Sequence, residues 1–315
     1  MASPKVILDL AFPEFLATLF EGICEFVAWE ALERDGPTRA AITGMLTYAH
    51  PQVGAQELSQ LPNLKVISNY GVGVDHIDLD AAARARVPVG NTPGLVDGAT
   101  ADLTLALLLA LARNVTVGDR FARGPDFTYY DPANLLGRDV FGATLGIVGM
   151  GRIGSEVAKR ARGFDMRILY HNRQRDREAE ERFGSEYRPL AALLAEADFV
   201  SLNMPLTSET RHFIGATEFG LMKSSAYLIN TARGGVIDHD ALLNALDEGQ
   251  IAGAAIDVTE PEPLPRDHPL LTRENLLITP HLGTSTFDTR LAMGELTRDN
   301  LVAGLRGASL PHQAK

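Results

Sequence analysis

Short apolar runs rich in β-branched residues alternate with helical patterns along most of the chain. Apolar runs bounded by turn residues predict β-strands, and their alternation with helices predicts a parallel α/β architecture. In the first third, the predicted strands are KVILDL (5–10), AAITGMLTYA (40–49), LKVISNY (64–70) and VPVGN (87–91). A second set follows: TLGIV (144–148), MRILYHN (166–172), ADFVSLNMP (197–205), AYLINTA (226–232), IAGAAIDV (251–258) and NLLITPHL (275–282).

Two longer helical patterns lie on either side of the second set. The segment from Ala99 to Arg113 contains the run LTLALLLALA, which is too short to span a bilayer and predicts a buried helix. The pattern from Phe287 to Arg306 is also helical, with expected inward positions at Phe287, Leu291, Leu296, Leu301 and Leu305. We therefore predict two α/β domains: residues 99–285, and a domain built from residues 1–98 together with 286–315.

A glycine-rich turn follows the first strand of the second set. The segment TLGIVGMGRIGSEVAKRAR places Gly149, Gly151 and Gly154 in the spacing G-x-G-x-x-G between a strand and a helical pattern. Gly149 permits a tight turn, Gly151 lets the backbone approach a pyrophosphate, and Gly154 lets the helix pack on the strand. Free N–H groups at the helix start favour the anion. This predicts a dinucleotide site that includes Arg152 and Ile153; the alternative is a turn that binds no ligand.

The end of the next strand bears on which dinucleotide binds. Such folds usually place Asp or Glu there, about 20 residues on, to bind the hydroxyls of the adenosine ribose. Here the strand leads into His171, Asn172, Arg173 and Arg175. Because a guanidinium binds a phosphate through two hydrogen bonds, this segment predicts NADP(H) as the preferred cofactor and NAD(H) as a second one, with Arg173 the leading contact. The alternative is that both arginines only pair with Asp176, Glu178 or Glu180.

Composition narrows the classes of function. The formal net charge of −11 argues against nonspecific binding of nucleic acid, because neutralising phosphates requires a basic surface. The single cysteine excludes an intramolecular disulfide and a metal site made of several cysteines, and it fits the cytoplasmic location that we expect. No signal-peptide pattern and no apolar run of membrane-spanning length is present. We expect neither nucleic acid nor membrane as a partner, and no metal.

Three ionisable residues follow later predicted strands: Arg233 in INTARGG, Glu262 in DVTEPEPLP and His281 in ITPHLGTST. Ligands of parallel α/β sheets bind at the carboxyl ends of the strands. We therefore expect the three side chains to face one crevice. His281 alone would be better explained as a capped or core histidine, so the chemistry is predicted by the set of three.

Five segments in this order carry a family resemblance: NYGVGVDHIDLDAAARARVPVGNTPG, TLGIVGMGRIG, INTARGGVID, GAAIDVTEPEPLP and TPHLGTSTFDTR. The chain resembles the D-isomer-specific 2-hydroxyacid dehydrogenases over almost its whole length. Within them it is most similar to the glyoxylate/hydroxypyruvate reductase branch, which includes bacterial 2-ketogluconate reductases. The resemblance implies an α/β fold of two doubly wound parallel-sheet domains, with a Rossmann cofactor domain inserted in a flavodoxin-like substrate domain. It also implies a homodimer.

The resemblance implies a role for each residue of the set. Arg233 would hold the carboxylate of the substrate and polarise its carbonyl, as a planar donor fork can. His281 would give a proton to the ketone oxygen while hydride arrives from the cofactor. Glu262 would form a hydrogen bond with His281, fix its orientation and favour its protonated form.

Further contacts are also implied by the resemblance. The backbone amides of Val72 and Gly73 would bind the carboxylate, and Asp257 would contact the nicotinamide amide. The expected function is NADPH-preferring reduction of glyoxylate, hydroxypyruvate or 2-ketogluconate to the D-2-hydroxy acid. Two alternatives stay open. One is a dehydrogenase of the same fold that acts on phosphite or phosphoglycerate; the other is a dinucleotide-sensing binding protein similar to the corepressors of this superfamily.

Overall fold

The computed structural model of the protein describes residues 3–33 and 36–314. The chain divides into two compact units. We call Met1–Val96 with Thr286–Lys315 the terminal unit, and Asp97–Ser285 the inserted unit. The predicted domains, 1–98 with 286–315 and 99–285, differ from this division by two residues at the first boundary.

The terminal unit contains one parallel sheet. Its strands are β1 (Lys5–Leu8), β2 (Glu25–Ala28), β3 (Ile42–Thr47), β4 (Val66–Asn69) and β5 (Val89–Gly90). Its helices are α1 (Glu14–Ala17), α2 (Gly36–Ala40), α3 (Ala55–Ser59), α4 (Leu79–Arg84) and the last helix of the chain, α12 (Phe287–Leu305). The strand order β2-β1-β3-β4-β5 is that of a flavodoxin-like sheet.

The inserted unit contains a parallel sheet of seven strands. They are β6 (Thr144–Val148), β7 (Arg167–His171), β8 (Glu186–Tyr187), β9 (Phe199–Leu202), β10 (Tyr227–Asn230), β11 (Gly253–Ile256) and β12 (Leu276–Ile278). The helices are α5 (Asp97–Ala112), α6 (Val115–Arg123), α7 (Arg152–Ala161), α8 (Arg177–Phe183), α9 (Leu190–Glu196), α10 (Ala216–Leu221) and α11 (His239–Asp247). The order β12-β11-β10-β9-β6-β7-β8 is the Rossmann order with one added strand. The predicted fold class is thus confirmed.

Burial explains why most strands were predictable as apolar runs. β4, β9 and β11 are buried along their whole length, as expected where helices cover both faces of a parallel sheet. The sequence pattern does not predict β2 and β8, which both lie at sheet edges. β2 has four residues and β8 only two, and none of them is fully buried, so neither strand has the continuous buried run seen in β4, β9 and β11.

The structure corrects the predicted inward face of α12. Of the five expected residues, only Leu301 is buried, and Phe287 is 63% exposed. The buried residues are Met293, Gly294, Thr297, Asn300, Leu301 and Gly304. A Cβ atom on Gly304 would lie 2.4 Å from the side chain of Val66, so the helix approaches β4 very closely. Only Met293 and Leu301 among these residues are large and apolar, so hydrophobic periodicity does not mark this face.

Helix α5 is confirmed as a buried helix of the inserted unit, with seven buried residues. Among the described residues, no single helix is long and apolar enough to cross a membrane. Helices α5 and α6 reach that length and composition only as a pair, which is bent by 58° at the break.

Candidate functional site: the glycine turn and the edge of the inserted sheet

The glycine turn joins β6 to α7. Gly149 has φ +98°, and a Cβ there would lie 2.9 Å from the carbonyl oxygen of Asn203. A Cβ on Gly154 would lie 2.2 Å from the carbonyl oxygen of Gly149. These two glycines are therefore required by the turn and by helix packing. Gly151 differs, because a Cβ at this position would meet no atom within 4 Å. The backbone at Gly151 borders open space, as expected where a ligand approaches the turn.

The start of α7 fits the phosphates of a dinucleotide. Gly151 precedes the first turn of the helix, whose N–H groups and dipole favour an anion. Arg152 adds a positive charge; its side chain is 60% exposed, and its Nε lies 3.5 Å from Oδ2 of Asp97. Burial raises the pKa of Asp97, and the Arg152 charge opposes that rise. Ile153 packs against the hydrophobic core, so it anchors the helix through its side chain.

The end of β7 supports the glycine turn. The amide oxygen of Asn172 accepts a hydrogen bond from the backbone N–H of Met150 at 2.7 Å. The backbone N–H of Gly149 donates to the carbonyl of His171 at 2.9 Å. The side chain of Asn172 therefore shapes the glycine turn through its hydrogen bond with Met150.

The two arginines after β7 have different surroundings. Arg173 is 91% exposed, with Nη1 3.4 Å from Oε2 of Glu209. Arg175 forms two hydrogen bonds with Glu180, at 2.6 and 2.8 Å, and the hydroxyl of Tyr170 donates to the same carboxylate. Arg175 and then Tyr170 lower the pKa of Glu180 to about 2. Arg175 is thus in the ion pair that the alternative interpretation expects, whereas Arg173 has a longer contact with a residue that the sequence did not suggest.

Arg233 lies three residues beyond β10, in a turn that Asn230 holds. Asn230 is fully buried. Its amide nitrogen donates to the carbonyl of Arg233 at 2.9 Å, and its oxygen accepts from the N–H of Ala232 at 3.0 Å. The Nη1 of Arg233 donates to the carbonyl of Ala232 at 2.8 Å. The backbone that carries the guanidinium is therefore fixed from the core side.

Gly234 joins this turn to the loop after β11. A Cβ on Gly234 would lie 2.1 Å from the backbone carbon of Thr259, so the two backbones are in direct contact. Glu262 lies three residues beyond Thr259. Sequence reasoning did not identify Gly234 as a site residue. The signal was present in the double glycine that follows Arg233, since adjacent glycines often mark a close backbone approach.

Glu262 and His281 are in direct contact. Nδ1 of His281 lies 2.7 Å from Oε1 of Glu262, and the two side chains are 30% and 39% exposed, respectively. His281 has φ +57°, an uncommon conformation for a residue other than glycine. No group of three or more His, Cys, Asp or Glu residues is arranged to hold a metal ion in the described part of the chain.

Asp257 holds the loop that presents His281. Its carboxylate is 1% exposed. It accepts hydrogen bonds from the hydroxyl of Thr279 (2.6 Å) and from the backbone N–H groups of Leu282 (2.7 Å) and Gly283 (2.8 Å). The N–H of His281 donates to the carbonyl of Asp257 at 2.8 Å. Asp257 therefore fixes the turn on both sides of His281, a positioning role that the sequence did not reveal.

In the terminal unit, the loop of Val72 and Gly73 has its carbonyls turned inward. The amide of Asn69 donates to the carbonyls of Gly71 (3.0 Å) and Gly73 (2.9 Å), and the amide of Asn91 donates to that of Val72 (2.9 Å). In a trans peptide, the C=O and the following N–H point in opposite directions. The N–H groups of Val72 and Gly73 consequently point away from the asparagines, as an anion site requires. Sequence reasoning missed both asparagines.

Comparison with known proteins supplies a family. The sequence model described as "D-isomer specific 2-hydroxyacid dehydrogenase, NAD binding domain" matches residues 105–283. The chain is 46% identical to the glyoxylate reductase of Korarchaeum cryptofilum, over 98% of this chain and 95% of that protein. It is 42% identical to the glyoxylate reductase of Pyrococcus furiosus, over 98% of this chain and 94% of that protein.

A solved structure supports the same family assignment. The fold is similar to that of the NADPH-dependent glyoxylate/hydroxypyruvate reductase of Sinorhizobium meliloti, solved in complex with NADP and malonate. The TM-score is 0.90 and the identity 28%, over 99% of this chain and 97% of that chain. The likeness therefore extends over both units.

Proposed function

Because the chain belongs to the D-isomer-specific 2-hydroxyacid dehydrogenase family, and is thus an NAD(P)-dependent oxidoreductase, we propose that it reduces a small 2-keto acid to the D-2-hydroxy acid. The proposed substrates are hydroxypyruvate, the larger 2-ketogluconate, and glyoxylate, whose product, glycolate, has no stereocentre. The observation that carries the proposal is the 2.7 Å contact between His281 and Glu262, beyond the ends of two neighbouring strands of the Rossmann sheet. The names of the two archaeal relatives support it.

Each catalytic residue has a distinct role in this proposal. Glu262 binds Nδ1 of His281, so the opposite ring nitrogen, Nε2, donates a proton to the carbonyl oxygen of the substrate. The carboxylate of Glu262 stabilises the positive charge of the imidazolium. Arg233 binds the substrate carboxylate and polarises the carbonyl. The backbone N–H groups of Val72 and Gly73 donate hydrogen bonds to the substrate carboxylate. When bound, the reduced nicotinamide supplies the hydride.

The proposed cofactor site combines direct contacts with supporting ones. The diphosphate would be held by the glycine turn and the start of α7, which comprise Gly149, Gly151, Arg152, Ile153 and Gly154. Asn172 and Asp257 shape the loops around the cofactor through the hydrogen bonds described above.

NADP(H) is the preferred cofactor in this proposal. No acid stands at the end of β7, and the exposed guanidinium of Arg173 follows it. The Sinorhizobium relative, which is NADPH-dependent, supports the preference. Arg175 is a weaker candidate for binding the 2′-phosphate, because its guanidinium is already bound to Glu180.

A substrate panel tests the activity. We expect oxidation of NADPH, followed by its absorbance, with glyoxylate and hydroxypyruvate, and a lower kcat/KM with NADH. Phosphite and phosphoglycerate, assayed with NADP+ and NAD+, serve as controls for the alternative dehydrogenases. Absence of turnover with every 2-keto acid would remove the reductase proposal. Cofactor binding without turnover would instead favour the corepressor-like alternative.

The proposal includes a homodimer formed through the segment 115–141. Large apolar side chains are exposed along it: Val115, Phe127, Tyr129, Tyr130, Leu135, Leu136 and Phe141. Apolar surface of this kind marks interaction sites. Light scattering after size exclusion should give twice the mass of one chain, and the mass of a single chain would contradict the dimer. The cytoplasmic location stays a prediction.

A further inference from the structure

The Arg173–Glu209 ion pair lies beside the glycine turn. β7 and β9 are the two neighbours of β6 in the sheet, so the loops that follow them border the turn from opposite sides. The loop after β9 begins against the turn, since a Cβ on Gly149 would lie 2.9 Å from Asn203. Farther along this loop, the carboxylate of Glu209 reaches to within 3.4 Å of the guanidinium of Arg173.

Glu209 stands on a turn with its own hydrogen bonds. The hydroxyl of Thr207 accepts from the N–H of Glu209 at 3.2 Å, and the N–H of Thr207 donates to the hydroxyl of Thr210 at 2.8 Å. The hydroxyl of Thr210 donates to the carbonyl of Pro205 at 2.6 Å. These hydrogen bonds hold the turn that carries the Glu209 carboxylate.

The two arginines after β7 differ in how easily a ligand displaces their partner. Arg175 is bound through two short hydrogen bonds to a carboxylate that Tyr170 also holds. Arg173 and Glu209 are 91% and 73% exposed, and exposed pairs of this kind contribute little. An incoming phosphate therefore displaces Glu209 from Arg173 more readily than it displaces Glu180 from Arg175.

We propose that Glu209 is a specificity-determining residue, which sets the preference between NADP(H) and NAD(H) by competing with the 2′-phosphate for Arg173. The inference rests on the proposed function, in which Arg173 binds that phosphate. A phosphate monoester carries nearly two negative charges, so its binding displaces Glu209 from Arg173 and repels its carboxylate. A ribose hydroxyl does neither. Glu209 thus weakens NADP(H) binding selectively and keeps NAD(H) as a usable second cofactor.

Calorimetric titration of the full-length protein tests this without relying on catalysis. The titrants are NADP+, NAD+ and 2′,5′-ADP, which carries the 2′-phosphate without the nicotinamide. The variants are Glu209→Gln, Arg173→Ala and the double substitution. Glu178→Gln is the matched control, because it removes one exposed carboxylate from the neighbouring helix α8.

Glu209→Gln should lower the Kd of NADP+ and of 2′,5′-ADP by a factor of about two to five, the range of exposed charge pairs. The Kd of NAD+ should stay unchanged, and the gain should shrink in the Arg173→Ala background and at high salt. A Glu209→Gln protein that behaves like Glu178→Gln, while Arg173→Ala selectively weakens NADP+ binding, would overturn this inference alone. Equal loss of NADP+ and NAD+ binding in Arg173→Ala would overturn both the inference and the proposed cofactor preference.

Discussion

The loops after β10, β11 and β12 and the loop after β7 follow strands of the same sheet, but they are held in different ways. Around the proposed catalytic residues, Gly234 lies in backbone contact with Thr259, and Asp257 is buried and accepts three hydrogen bonds. Around the ribose position, Arg173 is almost fully exposed and pairs with an exposed glutamate. The proposed chemistry thus depends on buried backbone contacts, whereas the proposed cofactor preference depends on surface charges.

This difference predicts which property of the protein a substitution in each region should change. A change in the buried loops should impair catalysis and folding together, because the same contacts serve both. A change at the β7 loop should alter cofactor affinity and leave the fold intact, because exposed charges contribute little to stability. The following experiments test this distinction between the buried loops and the β7 loop.

Removal of the proposed proton donor, His281, should have the largest effect. His281→Ala should lower kcat by a factor of about 10² to 10⁴, the usual contribution of a general acid. The Kd of NADPH should not change. His312→Ala, which removes an exposed imidazole from the terminal unit, is the control. Steady-state kinetics that show a normal kcat for His281→Ala would show that another group supplies the proton.

Asp257→Asn tests whether catalysis depends on the buried support of the His281 loop. Oδ1 of Asp257 accepts from Thr279 and Leu282, and Oδ2 accepts from Gly283. The amide of asparagine has one oxygen and a nitrogen that only donates, so the variant loses the bonds on one of these two atoms. The displaced imidazole should reduce kcat by about 10-fold to 100-fold. Asp247→Asn changes a partly exposed carboxylate paired with Arg273 and should leave kcat intact. Identical kinetics for the two variants would refute the positioning role.

Gly234→Ala tests the contact between the Arg233 turn and the loop of Glu262. The added methyl would overlap the backbone of Thr259, so the free energy of unfolding should fall by about 1 to 3 kcal/mol. In Gly163→Ala the new Cβ meets no atom within 4 Å, so that variant should unfold like the wild type. Denaturant titration compares them. If both variants are equally stable, the two loops are not locked together.

Arg175→Ala should have the smallest effect on cofactor binding. Because Glu180 already holds this guanidinium, the KM for NADPH should change by less than about twofold, the scale of an exposed ion pair. Arg173→Ala, measured beside it, should raise the KM for NADPH selectively. Equal effects of the two variants would remove the distinction drawn between these arginines.

The Arg175–Glu180 pair should make a small contribution to stability that depends on pH, and its loss should leave the fold intact. A carboxyl whose pKa is lowered to about 2 stabilises the fold above its ordinary pKa, and this contribution is lost as the pH falls towards 2. Arg175→Ala should therefore lose less stability than the wild type over that pH range. Thermal unfolding between pH 5 and pH 2 measures this, and parallel curves for the two proteins would contradict it.

The sequence indicated the candidate residues that are recognised by their chemical identity. Gly149 and Gly154 were recognisable because a strand and a helix flank them, and His281 because it follows a strand in the company of Glu262 and Arg233. Packing was less accessible. The predicted inward face of α12 is only partly right: Leu301 is buried and Leu305 packs against the core, but the other buried positions include Gly304, which packs on β4.

Partners distant in sequence were also beyond prediction. Glu209 lies 36 residues after Arg173, and only the strand order brings their loops together. Asn69 and Asn91 stood inside recognised segments, but their role depends on which carbonyls they meet in the fold. The candidate residues were visible in the sequence, whereas the contacts that hold them in place required the structure.

The most direct test of the central claim is the stereochemistry of the product. The wild-type protein, supplied with hydroxypyruvate and NADPH, should form glycerate that chiral chromatography resolves as the D-isomer. The His281→Ala variant should form very little over the same time. Accumulation of the L-isomer would contradict the account, as would the absence of any 2-hydroxy acid product from every 2-keto acid of the panel under conditions in which NADPH binds.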